Sequence, residues 1–199
     1  MSKTALLETI ERETGPDPRW AVIWLHGLGA DGNDFVPLVP ELVREGWPPI
    51  RFVFPHAPVR PVTINNGTPM RAWYDIRDLG FGGTVGDRAD AGGVAASVAQ
   101  VEALIRREAG RGIPASRLVL AGFSQGGAIA LSTALDRKES LAGIVALSTY
   151  LPLATQGEAG VAAAAAAQPV FMAHGTQDPV VPFEAGQRSA GRLRSLGFD

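Results

Sequence analysis

The sequence predicts an α/β fold, with a mostly parallel central sheet and helices on both of its faces. Short, continuously apolar runs of strand length alternate with longer stretches in which apolar residues recur at helical spacing. The clearest runs are Trp20–Leu25, Ile50–Phe54 and Leu118–Ala121, and such runs are typical of parallel strands buried on both faces. With 199 residues and 46% hydrophobic content, the chain can bury a large core, so we expect residues 1–199 to form a single domain.

The N-terminal elements follow from alternation, apolar runs and helical spacing. Ala5–Thr14 alternates loosely between apolar and polar residues and precedes a proline-rich turn, which predicts an antiparallel edge strand. The buried strand Trp20–Leu25 ends in the glycine-rich segment His26–Gly32, which lacks the glycine spacing of a phosphate-binding loop. Helical spacing predicts a helix within Asp34–Glu45, and two prolines confine its regular part to the later residues.

The middle of the chain holds one long irregular stretch and one long helix. From Ala57 to about Gly86 no clear periodicity is visible, and a connection this long inside a compact domain is more often functional than idle. Trp73 in this stretch has two interpretations: it covers part of the core, or it forms a wall of a substrate pocket. Apolar residues that start at Val94 and recur four, seven and eleven positions later predict a helix from about Arg88 to Ala109.

Ser124 is the candidate nucleophile. It lies in the pattern G-x-S-x-G, directly between the apolar run Leu118–Ala121 and a helix of small residues predicted at Gln125–Leu135. In this strand–turn–helix context, Gly122 and Gly126 leave room for neighbouring backbone, and the helix points its free N–H groups toward a developing oxyanion. The alternative is a tight turn in which the serine only caps the helix.

The C-terminal part adds two strands and two helical segments. Leu141–Leu147 and Pro169–Ala173 are predicted to be further buried strands. Between them, the alanine tract Ala162–Ala167 is predicted to be helical by propensity alone and is assigned no chemistry. After the last strand, Pro182 is predicted to start an amphipathic helix that runs through Leu196.

Partners for a serine nucleophile can be placed at the ends of other predicted strands. Asp178 follows the last strand, and an acid after the serine fits the chain order Ser, Asp, His, in which the carboxylate orients the histidine. The alternative is an aspartate that only shapes a turn before a proline. The oxyanion donors of such an enzyme are the N–H after the nucleophile and one from an early strand–helix loop, so Gln125 and Leu28 are the candidates.

Composition and charge exclude several classes of function. A formal charge of −2 without runs of like charge offers no footprint for nucleic acid or an anionic membrane surface. The absence of cysteine excludes disulfides, thiolate metal sites and a cysteine nucleophile. We expect no metal or cofactor and no nucleic-acid partner. We also expect no stable membrane insertion, because no apolar run reaches the length of a membrane span. An acidic residue at Glu8 interrupts any leader-like apolar stretch, so we expect a cytoplasmic protein.

Five short motifs are spread over nearly the whole chain. They are Trp24-Leu25-His26-Gly27-Leu28-Gly29, Pro55-His56-Ala57-Pro58, Trp73-Tyr74-Asp75, Gly122-Phe123-Ser124-Gln125-Gly126-Gly127, and His174-Gly175 with Asp178 through Pro182. Together they resemble the carboxylesterase and acyl-protein thioesterase group of α/β-hydrolases. The resemblance implies the α/β-hydrolase fold and assigns a role to six positions: nucleophile Ser124, triad acid Asp178, oxyanion donors Leu28 and Gln125, and acyl-pocket residues Trp73 and Val180. Members of this family often pair as homodimers, so the resemblance allows a homodimer, although the sequence itself does not specify an oligomeric state.

The triad histidine is missing from this pattern. The chain has only His26, His56 and His174, and all of them precede Asp178. His26 is better explained as a structural residue, His56 as a turn residue, and His174 as a brace for its loop. Members of the family place the histidine after one further strand and follow it with a closing helix. The expectation is therefore that the chain is incomplete at its C-terminus and that the histidine lies beyond Asp199.

The hypothesis that follows is a serine hydrolase that cleaves carboxylic esters or thioesters of short to medium acyl chains through an acyl-enzyme on Ser124. Its partner would be a small-molecule or acylated substrate. Two alternatives stay open: a catalytically silent α/β-hydrolase scaffold that acts as a binding module, and an acyltransferase that uses the same nucleophile.

Overall fold

The central element of the computed structural model, which describes residues 5–78, 90–152 and 167–198, is a six-stranded sheet. In chain order its strands are β1 (Thr9–Glu13), β2 (Trp20–Leu25), β3 (Ile50–Pro55), β6 (Leu118–Phe123), β7 (Gly143–Leu147) and β8 (Val170–Ala173). They lie in the order β1-β3-β2-β6-β7-β8. A separate hairpin is formed by β4 (Val59–Val62) and β5 (Thr68–Arg71).

Strand directions confirm the predicted sheet. The edge strand β1 runs antiparallel to β3, with Glu11 opposite Val53, whereas the pairs β2–β3, β2–β6, β6–β7 and β7–β8 are all parallel. The apolar runs of β2, β3 and β6 occupy interior strands, which are buried. The carboxyl ends of the parallel strands therefore meet at one edge, where ligand sites of open α/β sheets form. The expected burial of Pro169–Ala173 is wrong, because β8 forms an edge of the sheet and Phe171 is exposed.

Helices cover both faces of the sheet. The helices are α1 (Val39–Leu42), α2 (Ala91–Gly110), α3 (Gln125–Asp136) and α4 (Phe183–Ser195). Helices α2 and α3 pack on one face in a large apolar cluster, which Leu193 of α4 also joins. On the other face, Val39 of α1 packs with Phe52, Phe54 and Trp24 in a second cluster. In the part of the chain that is described, no helix is long and apolar enough to cross a membrane.

Two predicted regions differ in detail. The helix predicted within Asp34–Glu45 is reduced to a 3₁₀ turn, Val36–Leu38, followed by the four-residue α1, because the two prolines remove backbone donors. The stretch without periodicity contains the hairpin β4–β5, which turns through Asn66 and Gly67 at positive φ. Most of the alanine tract, 162–166, and the segment 79–89 lie outside the described residues.

Paired polar groups hold the amino ends of the strands. Glu108 near the end of α2 is completely buried, and its carboxylate receives Arg51 at 2.9 Å and Arg111 at 3.0 Å. Glu11 on β1 extends this ionic cluster through Arg107 and Arg111. On the β7–β8 side of the sheet, Oε1 of the buried Gln168 accepts the N–H of Leu141 (3.0 Å), and its Nε2 donates to the carbonyl of Ala134 (3.3 Å).

Candidate active site

Ser124 occupies a strained turn between β6 and α3. Its φ of 51° and ψ of −119° lie in a region that residues other than glycine rarely adopt. Both of its backbone polar groups are anchored: the N–H donates to Leu147 O (2.9 Å), and the carbonyl accepts the hydroxyl of Thr149 (2.6 Å). These bonds from the end of β7 and from Thr149 beyond it hold the conformation, and the Ser124 side chain makes no capping hydrogen bond to α3.

The flanking glycines are required by close packing. A Cβ on Gly122 would overlap the backbone of Gly126, and a Cβ on Gly126 would overlap the carbonyl groups of Leu25 and His26. The turn is thus pressed directly against the end of β2 and the loop that follows it. This close approach, inferred from the G-x-S-x-G pattern, brings the serine turn and the loop of Leu28 together.

The two predicted oxyanion donors lie beside Ser124. Gln125 is the first residue of α3, so its N–H is among those left unpaired by the helix, and Leu28 lies in the loop after β2. That loop is held by hydrogen bonds from Gly29 N to Arg71 O (2.9 Å) and from Ala57 N to the His26 ring at Nε2 (3.0 Å). Ser124, Gln125 and Leu28 all line one cavity.

This cavity has a volume of about 250 Å³. Most of its surface is apolar, and both apolar and polar residues line it: Leu28, Ile64, Asn65, Ile76, Asp78, Ser124, Gln125, Tyr150, Val180 and Val181. Val180, the candidate acyl-pocket residue, is one of these lining residues and is 63% exposed. Apolar walls with a few polar groups are typical of a substrate pocket.

Several lining residues were not identified from the sequence. Ile64 and Ile76 come from the stretch without periodicity, where no pattern marks them. Tyr150 follows the carboxyl end of β7, and a position after a strand of a parallel sheet is typical of residues that line a ligand site. Its hydroxyl lies 2.9 Å from that of Tyr74, and burial, together with the Tyr150 neighbour, raises the pKa of Tyr74 well above its ordinary value. Tyr74 is therefore a neutral hydroxyl beside the pocket.

Trp73 does not line the cavity, so its predicted place in the pocket wall is corrected. Its side chain is 0% exposed and packs in the large core cluster. The indole N–H donates to the carbonyl of His26 (2.9 Å), and the backbone N–H donates to the side chain of Gln125 (2.8 Å). An aromatic residue in an irregular stretch was compatible with both positions, and the core position is the one observed.

Asp178 is held in a tight turn after β8. Its Oδ1 accepts the N–H groups of Val180 (2.8 Å) and Val181 (3.0 Å), and the Ser148 side chain also hydrogen-bonds to the carboxylate. Burial alone would raise the pKa of Asp178, but these amide bonds, the nearby His174 and Ser148 outweigh it and lower the pKa. The group is therefore an anion next to the two valines that line the cavity.

Each histidine of the chain has a structural partner. His26 Nδ1 donates to Gly27 O (2.7 Å), because Nε2 accepts from Ala57; burial lowers its pKa, which keeps it neutral. His56 Nδ1 accepts the N–H of Gly32 (3.1 Å). His174 Nε2 donates to Val181 O (2.7 Å) and lies 3.6 Å from Asp178 Oδ2. All three lie in the described ranges, and none of them hydrogen-bonds to Ser124 there.

No metal site is evident within residues 5–78, 90–152 and 167–198, where no three His, Asp or Glu side chains converge in a way that could hold a metal ion. The chemistry that the described residues offer is that of a serine hydroxyl, two backbone N–H donors, a partly exposed carboxylate and an apolar cavity. This combination is suited to acyl transfer.

Known proteins are similar to this chain in sequence and in fold. A family model described as phospholipase/carboxylesterase matches residues 8–198. Acyl-protein thioesterase 1 of Cryptococcus neoformans is 43% identical over 173 residues, which cover 86% of this chain and 71% of that protein. The crystal structure of Arabidopsis thaliana SOBER1 matches with a TM-score of 0.83 at 34% identity, covering 90% of this chain and 85% of that one. Acyl-protein thioesterase 2 of Zea mays matches with a TM-score of 0.75 at 31% identity, covering 95% and 85%.

Proposed function

The chain belongs to the phospholipase/carboxylesterase family of α/β-hydrolases, and from that premise we propose that Ser124 is its nucleophile. It is a serine hydrolase that acts on carboxylic esters or thioesters, and its relatives do not favour a silent scaffold. The observation that supports Ser124 is its strained backbone at the start of α3, facing an apolar cavity. Strain of this kind is kept where a side chain has to be presented to a ligand.

In the proposed reaction, the Ser124 hydroxyl attacks the acyl carbonyl while a histidine takes its proton. The N–H groups of Leu28 and Gln125 stabilise the oxyanion of the tetrahedral intermediate. Collapse of the intermediate breaks the bond to the alcohol or thiol, which leaves with the proton from the histidine. Water, deprotonated by the same histidine, then releases the acid and restores the serine.

The general base is proposed to be a histidine outside these 199 residues. Asp178 would orient it and stabilise its charged form, as the buried carboxylate of a triad does. The assignment is supported by the three histidines of the chain, because the ring of each one already takes part in a structural hydrogen bond away from Ser124.

The proposed substrate carries a short to medium acyl chain in ester or thioester linkage. The cavity of about 250 Å³ is larger than the cavities of about 150 Å³ that hold a benzene-sized molecule. Leu28, Ile64 and Ile76 provide an apolar lining for an acyl chain. Relatives are named acyl-protein thioesterases, so an acylated protein and a small acyl ester are both substrates to test.

Pre-steady-state kinetics with p-nitrophenyl butyrate test the proposal. The protein expressed from its complete reading frame should release a burst of p-nitrophenol equal to the enzyme concentration whenever deacylation limits turnover. Ser124→Ala should abolish both burst and turnover. The matched control is Ser132→Ala on the same helix, whose hydroxyl bonds only to Ala128 O (2.9 Å) and whose loss should leave both unchanged. Full turnover in Ser124→Ala would contradict the assignment.

Domain organisation, oligomeric state and cellular location are three further properties that we propose. The family match over residues 8–198 supports a single domain. A homodimer and a cytoplasmic location remain predictions. Light scattering of the purified protein tests the homodimer, and fractionation of cells tests the location.

A further inference from the structure

The side chain of Gln125 has a task separate from that of its backbone. The residue is 2% exposed, and both polar groups of its carboxamide are hydrogen-bonded to one neighbouring segment. Oε1 accepts the N–H of Trp73 (2.8 Å), and Nε2 donates to the carbonyl of Tyr74 (2.7 Å). The residue that offers one candidate oxyanion donor is thereby tied to the segment after β5.

Trp73 continues the connection to the other donor. Its indole Nε1–H donates to the carbonyl of His26 (2.9 Å), two residues before Leu28. The Ser97 hydroxyl of α2 donates to the Trp73 carbonyl. The backbone N–H, the carbonyl and the indole N–H of Trp73 are therefore all hydrogen-bonded. A continuous path of hydrogen bonds thus runs from Gln125 through Trp73 to the loop that carries Leu28.

The loop end of this path is itself fixed. His26 uses both ring nitrogens, one toward Gly27 O and one toward Ala57 N, and its carbonyl also lies against Gly126. Neither end of the path can therefore shift without breaking a buried hydrogen bond and leaving a polar group unpaired.

We infer that the Gln125 carboxamide and the Trp73 indole are positioning residues that set the spacing of the two oxyanion donors. Two N–H groups from segments far apart in the sequence have to converge on one oxygen at about 2.7–3.1 Å each, and electrostatic stabilisation falls off when they do not. The inference rests on the proposed function, since it assumes that Leu28 and Gln125 bind the oxyanion.

Gln168 provides a matched control within the same molecule. It is 1% exposed, and its carboxamide also accepts from one backbone N–H and donates to one backbone carbonyl. It joins the start of β7 to the end of α3, at the amino ends of the strands and away from the cavity. Loss of either carboxamide should cost similar stability, and only one of them should affect the reaction.

The experiment compares Gln125→Met, Gln168→Met and Trp73→Phe in the protein expressed from its complete reading frame. Turnover is normalised to the active sites counted by labelling with a fluorophosphonate to completion, so unfolded enzyme does not contribute. We expect Gln125→Met to lower kcat about 10- to 100-fold, below the cost of deleting a whole donor, with KM changed less than about threefold. Affinity for a trifluoromethyl ketone, which forms a tetrahedral adduct with the serine, should fall in parallel.

The other variants complete the test. Gln168→Met should lower the thermal midpoint and leave normalised kcat unchanged. Trp73→Phe keeps an aromatic ring but loses the donor to His26, and it should lower kcat about tenfold; it also serves as the test if Gln125→Met does not fold. Normalised kcat and ketone affinity equal to wild type in Gln125→Met or Trp73→Phe would overturn the inference. If Ser124→Ala stays fully active, the proposed function fails instead, so the two failures are distinguishable.

Discussion

Two buried glutamines make the same kind of bridge at opposite ends of the sheet. Gln125 joins α3 to the segment after β5 at the carboxyl ends of the strands, and Gln168 joins β7 to α3 at their amino ends. The hydrogen bonds are alike, and the surroundings differ. One bridge ends beside a strained serine and a cavity, and the other ends among packed elements. We therefore expect the role of each glutamine to depend on the segments that it joins, because the hydrogen bonds themselves are alike.

The same contrast holds for the charged groups. At the amino ends, Glu11 and Glu108 are paired with arginines in a closed cluster. At the carboxyl ends, Asp178 is held by backbone amides and by Ser148, which like Ser124 has a positive φ. We expect the charges at the amino ends to stabilise the fold and the charge of Asp178 at the carboxyl ends to serve the reaction.

The largest expected effect is on Asp178 at the carboxyl ends. Asp178→Asn can still accept the amides of Val180 and Val181, but it loses the charge that stabilises a protonated histidine. We expect kcat to fall about 10³- to 10⁴-fold with little change in stability. Steady-state kinetics check this, with Asp136→Asn at the end of α3 as the control that keeps its rate. If Asp178→Asn and Asp136→Asn had equal rates, the charge of Asp178 would have no special role in the reaction.

Gly126 and Gly110 differ in the space that an added methyl group would find. Gly126→Ala forces a Cβ against the carbonyl groups of Leu25 and His26 and should cost about 1–3 kcal/mol or more. Gly110→Ala at the end of α2 meets nothing within 4 Å and should gain up to about 1 kcal/mol. Urea denaturation measures both. A Gly126→Ala protein as stable as wild type would show that the serine turn does not need its close approach to β2.

The smallest effect is expected at Glu11. Burial would raise its pKa, but the hydrogen bond from Arg111 and the charges of Arg107, Arg111 and Arg51 lower it below the ordinary 4.5. A lowered pKa in the folded state stabilises the protein above the unfolded value, and this stability is lost as the pH falls through the folded value. Glu11→Gln should therefore make the acid loss of stability shallower below about pH 4.5, and cost less than about 1 kcal/mol at pH 7.

Unfolding free energies between pH 3 and 7, with Glu8→Gln at an exposed site as the control, check this prediction. An unchanged acid slope in Glu11→Gln would mean that the ionic cluster does not contribute to acid stability. Activity at pH 7 should not change in either variant, because neither side chain lines the cavity.

Local patterns in the sequence were sufficient to predict the sheet and the turn that contains Ser124. Apolar runs such as Trp20–Leu25 are imposed by burial on both faces, and the glycines around Ser124 are imposed by close packing. Trp73 could not be placed, because an aromatic side chain in an irregular stretch suits a core and a pocket equally. The bridges made by Gln125 and Gln168 join segments distant in sequence, so no local pattern encodes them.

Covalent labelling tests the central claim most directly. A fluorophosphonate should label the protein expressed from its complete reading frame once per chain, because the activated serine attacks phosphorus as it would an acyl carbon. After trypsin digestion, the label should lie on the peptide Leu118–Arg137, and fragment ions should place it on Ser124 rather than Ser132. A label on another residue, or no label on a protein that hydrolyses esters, would contradict Ser124 as the nucleophile.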